Sequence, residues 1–294
     1  KYPIYIKYMN NNNISIILKE IVRRVVIIIQ QERFLKEYSV DEKTVDYKVG
    51  EDFVTSADKK AQKLYLKLLQ ENFPGYGIIA EEDDLDIKCT IPGKNLYFFV
   101  DPLDGTKAYI RKQSHATSTM LALVDLDSGE YLSCIIGDIN TAEIYYFKPE
   151  SNRIRRVTGF EQYEELVFEQ KDLSEQYLLL RDDVRLYGEY VQQVTDPKNL
   201  DKIFKDIEIE GGSIGTMIMR LIKGEVGAIG LKAGTTAPWD ANPVDGFLSK
   251  MGYTMIDVTD KDNLKELSIA PIKEKKAFPE RILVHKNHLK QLIG

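Results

Sequence analysis

The sequence predicts a mixed fold, α+β in its first part and α/β in its last, and three observations carry that reading. From Ala116 to Arg156, the apolar runs "ATSTMLALVD", "YLSCIIGDI", "AEIYYF" and "RIRRVT" are separated by turn residues such as "DSGE", the pattern of an antiparallel meander. In the last third the period changes. "SIGTMIMRLIKG" reads as a helix, "EVGAIGL" as a strand, "WDANPVDGFLSKMG" as a helix and "YTMIDV" as a strand, the order of an α/β half. Two further runs, "YGIIA" and "LYFFV", are short buried strands that each stop at a group of acids.

In chain order, residues 1–13, "KYPIYIKYMNNNN", read as a disordered tail or an appended segment, with no secretory cleavage pattern. Ile14 to Phe34 place apolar residues at helical spacing, interrupted by Lys19, Glu20, Arg23 and Arg24. A membrane span needs about 20 nearly uncharged residues, so this is an amphipathic helix packed on the body. "DEKTVDYKVGEDFVTSAD" reads as short strands or a hairpin turning at Gly50. "SADKKAQKLYLKLLQENFPG" is a helix with Ala61, Leu64, Leu68 and Leu69 on its apolar face, stopped by Pro74-Gly75. The polar stretch from Phe160 to Lys205 is irregular and holds the division between an N-terminal part, 14–185, and a C-terminal part, 186–294.

The 294 residues suffice for a sizeable core, and 43% hydrophobic with 29% charged residues is a soluble composition. A net charge of −6 argues against a nucleic-acid polymer as partner. Cys89 and Cys134 are far apart and lack metal spacing, so they read as free thiols of a cytoplasmic protein. With only three histidines, any metal site must be built from oxygen ligands, which suits magnesium, manganese or calcium. His285 and His288, in "HKNH", read as a solvated helix start.

The acids need a reason to end buried strands, because an unpaired buried carboxylate is costly. Glu81 and Glu82, Asp101 and Asp104, and Asp240 in "PWDANP" all border apolar residues. Converging on divalent ions would neutralise them, as in sites where two ions roughly 3.5–4 Å apart hydrolyse a phosphate ester. In "DPLDGT", Asp101 can bridge two ions. Pro102 bends the chain so that the Leu103 carbonyl turns inward, and Asp104 returns to the second ion. Gly105 lets a phosphate approach, and the N–H groups of Gly105 and Thr106 open a helix. Each motif has a plainer reading when taken alone. "DPLDGT" is equally an Asx turn with Asp104 as a cap, and Thr55, Ser56 or Asp58 equally cap a helix. "EEDD" is equally a solvated turn, and Asp240 a charge suited to a helix start.

The order "VTSAD", "AEE", "DPLDGT", "GGSIGT" and "WDANPVDGFLSKMGY", from about Lys48 to Gly252, resembles the inositol monophosphatase-like superfamily of magnesium-dependent, lithium-sensitive phosphatases. The resemblance implies a layered αβαβα sandwich with the metal cluster where its halves meet. It implies two or three Mg2+, with Mn2+ as a substitute, and a small phosphorylated metabolite as substrate. Members are often dimers, so the resemblance allows a homodimer.

Carried over by position, Glu81 resembles the glutamate that binds the first metal and orients the attacking water, with Glu82 behind it. Asp101 resembles the bridging ligand, Leu103 the carbonyl ligand, and Asp104 and Asp240 the ligands of the second metal. Thr106 resembles the threonine paired with the water, and Asp58 the acid linked to it. Gly105, Thr106, Ser213 and Lys232 are the substrate contacts this resemblance suggests. Ala80 stands where relatives usually have glycine, tolerable unless the turn needs positive φ.

Among branches, Lys107 after "DGT" and the acid-free stretch Val226–Pro238, with Lys232 and the turn Ala233–Thr236, look most like the 3′(2′),5′-bisphosphate nucleotidases. Lys48 fits the same branch. A second phosphate needs a cationic partner outside the metal cluster, and Lys232 and Lys107 are candidates. Inositol monophosphatase and other sugar-phosphate phosphatases remain the alternative. A non-catalytic metabolite-binding relative is the alternative of another class, and such a binder should have lost one of the ligands.

Overall fold

The computed structural model describes residues 11–35, 39–43, 52–196, 198–199 and 202–293. Residues 1–10, Lys48 and Gly50 lie outside the described residues. The first part comprises α1 (Asn11–Leu35), β1 (Val40–Lys43), β2 (Asp52–Thr55), α2 (Ser56–Asn72), β3 (Gly77–Ala80), β4 (Leu85–Ile87), β5 (Leu96–Asp104) and α3 (Thr106–Ile110). The meander follows as β6 (Ser118–Asp125), β7 (Glu130–Asp138), β8 (Ile144–Phe147), β9 (Ile154–Val157) and β10 (Tyr163–Leu166). Next come β11 (Tyr177–Leu180), α4 (Glu189–Thr195), β12 (Asp206–Ile209), α5 (Ile214–Ile222), β13 (Ala228–Leu231), β14 (Gly234–Thr236) and α6 (Pro238–Met251). The chain closes with β15 (Tyr253–Asp257), β16 (Lys265–Leu267), β17 (Lys276–Phe278), β18 (Arg281–His285) and α7 (Leu289–Ile293).

These elements stack as helices, sheet, helices, sheet, helices, the αβαβα sandwich expected. The first sheet has eight strands in the order β10-β9-β8-β7-β6-β5-β3-β4, and the second six in the order β12-β11-β13-β18-β15-β16. Side chains of successive strand residues point to opposite faces, and the sequence uses both faces. In β5, Phe98 and Val100 pack under α1 and α2, while Tyr97 and Phe99 face α5 and α6. In β11, Leu179 faces that middle layer, while Leu178 and Leu180 pack outward with Tyr190 and Val191 of α4. Helix α1 buries Leu18, Val22, Val25 and Ile29 and exposes Ile16 and Ile27, so it is a covering helix. No described helix is long and apolar enough to cross a membrane.

Three local readings change. Helix α1 starts at Asn11 rather than Ile14. The stretch read as irregular carries β10, β11 and α4, and the chain leaves the first sheet after Leu166 and enters the second at Tyr177. His285 and His288 are not solvated. They are 9% and 1% exposed, and the His285 ring stacks on Phe168 with centroids 3.4 Å apart. Burial lowers both imidazole pKa values.

Close packing of the middle layer depends on Gly246 of α6. A Cβ there would stand 2.3 Å from Sγ of the buried Cys134 on β7. Gly246→Ala is therefore expected to lose about 1–3 kcal/mol by overpacking. Urea unfolding checks this, as a lower midpoint at unchanged m.

Candidate metal centre

Strands β3 and β5 run parallel, with Ala80 opposite Val100. Both therefore deliver their next residue, Glu81 and Asp101, at the same end. The Glu81 N–H donates to the Val100 carbonyl at 3.2 Å, and the Gln62 side chain holds both backbone groups of Glu82 at 2.8 and 2.9 Å. Ala80 lies in the strand and has no positive φ, so the absent glycine removes nothing the backbone needs.

Beyond Asp101 the pairing of β5 with β6 shifts register across Pro102 and Leu103. Pro102 has no N–H to offer a ladder. The Leu103 N–H instead donates to Asp101 Oδ1 at 3.0 Å. The Leu103 carbonyl accepts the Thr106 hydroxyl at 3.1 Å. Asp104 then sits over the start of α5. It accepts from Ser213 Oγ at 2.5 Å, from the Gly215 N–H at 2.7 Å and from Ser118 Oγ at 3.3 Å. The exposed N–H groups at a helix start favour an anion, so α5 of one half holds an acid of the other.

Asp240 comes from the first turn of α6, after Pro238. Asp101, Asp104 and Asp240 each offer a carboxylate oxygen within 4.8 Å of the others. Burial, and then Glu81, Asp104 and Asp240, push the Asp101 carboxyl well above the usual carboxylate range. Burial also raises Asp104, against the Ser213 hydroxyl, the Gly215 N–H and the Arg181 guanidinium. Three crowded carboxylates, all hard oxygen donors, fit a divalent cation such as Mg2+, whose charge would remove the repulsion.

Next to them stands a hydroxyl–carboxylate pair. Thr106 Oγ1 lies 3.3 Å from Asp58 Oδ1, while Asp58 Oδ2 accepts from the Thr55 N–H at 2.8 Å and the Thr55 hydroxyl at 2.5 Å. The capping arrangement and the contact with Thr106 thus coexist in one residue. Burial pushes the Asp58 carboxyl up to about 7, against the Thr55 hydroxyl, with Glu81 adding to the rise.

The expected substrate contacts fare unevenly. Ser213 is fully buried and its hydroxyl is engaged by Asp104 and Ser118, so it positions Asp104. Gly105 has φ +88°, and a Cβ would stand 2.3 Å from the Ala116 carbonyl oxygen. The glycine serves that close approach as well as the turn. Lys232 pairs with Asp182 at 3.1 Å, at the ends of β13 and β11. Sequence reasoning missed Ser118 and Arg181. Neither has a local signal, because each meets Asp104 only through the tertiary fold.

Comparison with known proteins follows the same architecture. An inositol-1-monophosphatase of Bacillus subtilis is 30% identical over 95 residues, 32% of this chain and 34% of that protein. The chain thus matches about a third of that relative's length. The crystal structure of staphylococcal inositol monophosphatase-1, a 100 mM LiCl soaked inhibitory complex, superposes with a TM-score of 0.66 at 18% identity, covering 97% of this chain and 94% of that one. An IMPase/NADP phosphatase complexed with Mg2+ and phosphate gives 0.66 at 18% identity, covering 96% and 94%. These two likenesses show the fold. Residues 10–291 match the Inositol monophosphatase family, and the chain belongs to it.

Proposed function

We propose that the protein hydrolyses the phosphate monoester of a small metabolite with Mg2+ at the site of Glu81, Asp101, Leu103, Asp104 and Asp240. We further propose that its substrate carries a second phosphate, adenosine 3′,5′-bisphosphate being the leading choice. The observation that carries the hydrolytic reading is the convergence of Asp101, Asp104 and Asp240 within 4.8 Å. None of the acids or Thr106 is replaced, which speaks against a non-catalytic binder. Two or three ions, replaceable by Mn2+, fit this number of oxygen donors.

Bound divalent cations would neutralise the ester phosphate and acidify the attacking water. The chain's own residues would do the rest. Glu81 and the Thr106 hydroxyl orient the water for in-line attack. Thr106 can pass its hydroxyl proton to Asp58 as it takes one from the water, and burial raises the Asp58 carboxyl toward proton acceptance. No covalent enzyme intermediate is required.

The second phosphate is favoured by the absence of any acid between Val226 and Pro238, with Lys232 in that stretch. The inositol ester is the second reading, favoured by the likeness to the Bacillus inositol-1-monophosphatase. Phosphate release from adenosine 3′,5′-bisphosphate and inositol 1-phosphate, with magnesium and with or without lithium, separates the readings. Magnesium-dependent, lithium-inhibited turnover, faster on the bisphosphate, is expected. Preference for the inositol ester overturns the substrate choice. No turnover on any phosphomonoester overturns hydrolysis in favour of a binder.

A further inference from the structure

The segment Ala270–Pro279, "APIKEKKAFP", crosses the N-terminal end of α6 as a strap and carries three lysines. The strap is held at four points. The buried Asn242 amide grips the Ile272 backbone from both sides, donating to its carbonyl at 2.8 Å and accepting from its N–H at 3.0 Å. Lys273 donates to the Tyr97 hydroxyl at 3.0 Å and lies 4.2 Å from that ring's centroid. Strand β17 pairs with β14, placing Lys276 opposite Thr236. Lys275, between these anchors, pairs with Asp84 at 3.0 Å and lies 5.5 Å from the Trp239 ring centroid.

Those last two contacts fix where Lys275 sits. Asp84 follows Glu81 by three residues on the same loop, and Trp239 directly precedes Asp240. The ammonium therefore touches residues that neighbour, along the chain, two of the acids that would hold metal. Its partner Asp84 is 76% exposed at the side chain. Such an exposed pair contributes little, so a ligand anion can replace Asp84 at small cost. The backbone on both sides of Lys275 is anchored, which reduces the ordering cost of binding.

We infer that Lys275 is a specificity-determining residue, exchanging Asp84 for the phosphate of the substrate that is not cleaved. This deepens the proposed function and rests on its reading of a substrate with two phosphates. Lys232 is less suited to the task because its partner Asp182 is only half as exposed as Asp84, so that pair is harder to exchange. The scissile phosphate goes to the acids and their cations. The distal phosphate goes to an ammonium held outside them, so the two anions do not compete for one site.

The product adenosine 5′-monophosphate keeps the distal phosphate, so its binding tests the inference without catalysis. Calorimetric titration of this nucleotide is done in magnesium and saturating inorganic phosphate, on wild type, Lys275→Gln and Lys275→Arg. Lys275→Gln is expected to weaken binding about tenfold to a hundredfold, the range for a charge-assisted bond. Lys275→Arg should recover most of it. In turnover, Lys275→Gln should raise KM for the bisphosphate and leave kcat and inositol 1-phosphate hydrolysis unchanged. Equal nucleotide affinity in wild type and Lys275→Gln overturns the inference. So does an equal loss on both substrates, which is the mark of a structural role. A wild type with no turnover overturns the hydrolytic reading instead, and the titration still decides the role of Lys275.

Discussion

Asp104→Asn is expected to lower magnesium-dependent kcat/KM by about 10²–10³-fold or more, the loss seen when a transition-state electrostatic contact is removed, while the protein stays folded. The Asn carbonyl oxygen can still accept from Ser213, Gly215 and Ser118, which all meet one oxygen of Asp104. What disappears is the negative charge, and with it a share of the affinity for the cation. Removing that charge also relieves the cost of burying it and then the repulsion from Glu81, both of which raise the Asp104 carboxyl. The metal-free variant should therefore melt no lower than the metal-free wild type. Adding magnesium should stabilise the wild type more, because a ligand stabilises the folded state by RT ln(1 + [L]/Kd) and the wild type binds the ion more tightly. Activity assays with melting curves, with and without EDTA, read both effects. Near-normal turnover in Asp104→Asn would sink the assignment.

The second large effect is a fall in stability with rising pH, carried by Asp245. This residue of α6 is 3% exposed, and burial pushes its carboxyl up to about 7, against Arg281 and Lys276. In the unfolded chain it ionises near the ordinary aspartate value of 3.8. Between these values the native state binds the extra proton, so stability falls as pH rises from about 4 to about 7 and is flat above. The upper limit for such a shift is about 4 kcal/mol, at 1.36 kcal/mol for each pH unit. Asp245→Asn cannot titrate, so its stability relative to wild type should improve steadily across that window. Urea unfolding at pH 4.5, 6 and 8 checks it. A difference independent of pH would show that Asp245 is already charged when folded.

Much of this protein can be read from its sequence, and the exceptions share a cause. The meander and the helices α2, α5 and α6 announce themselves through period and turn residues. The acids announce themselves because each ends an apolar run, and the parallel pairing of β3 with β5 then brings Glu81 and Asp101 together. Strand β11 escapes notice because "YLLL" is four residues long within a polar stretch. The histidines of "HKNH" look solvated because Phe168, which covers His285, lies more than a hundred residues away. Ser213 looks like a ligand contact until Asp104 is found on its hydroxyl. Lys275 sits in a run of lysines that any surface would tolerate. Its place follows only from Asn242, Asp84 and Trp239, none of them near in sequence.

The bond between Ser213 and Asp104 joins residues 109 positions apart, and Asp240 is farther along still. Contacts of such separation form late, because a long loop must close before they can reward it. A chain released from the ribosome short of α6 would lack one acid of the cluster, and one short of α5 would leave Asp104 without its seat. Partly folded copies should therefore be inert toward magnesium and phosphate esters alike. In a refolding experiment, the return of turnover would time the final docking of the two sheets rather than the collapse of either one.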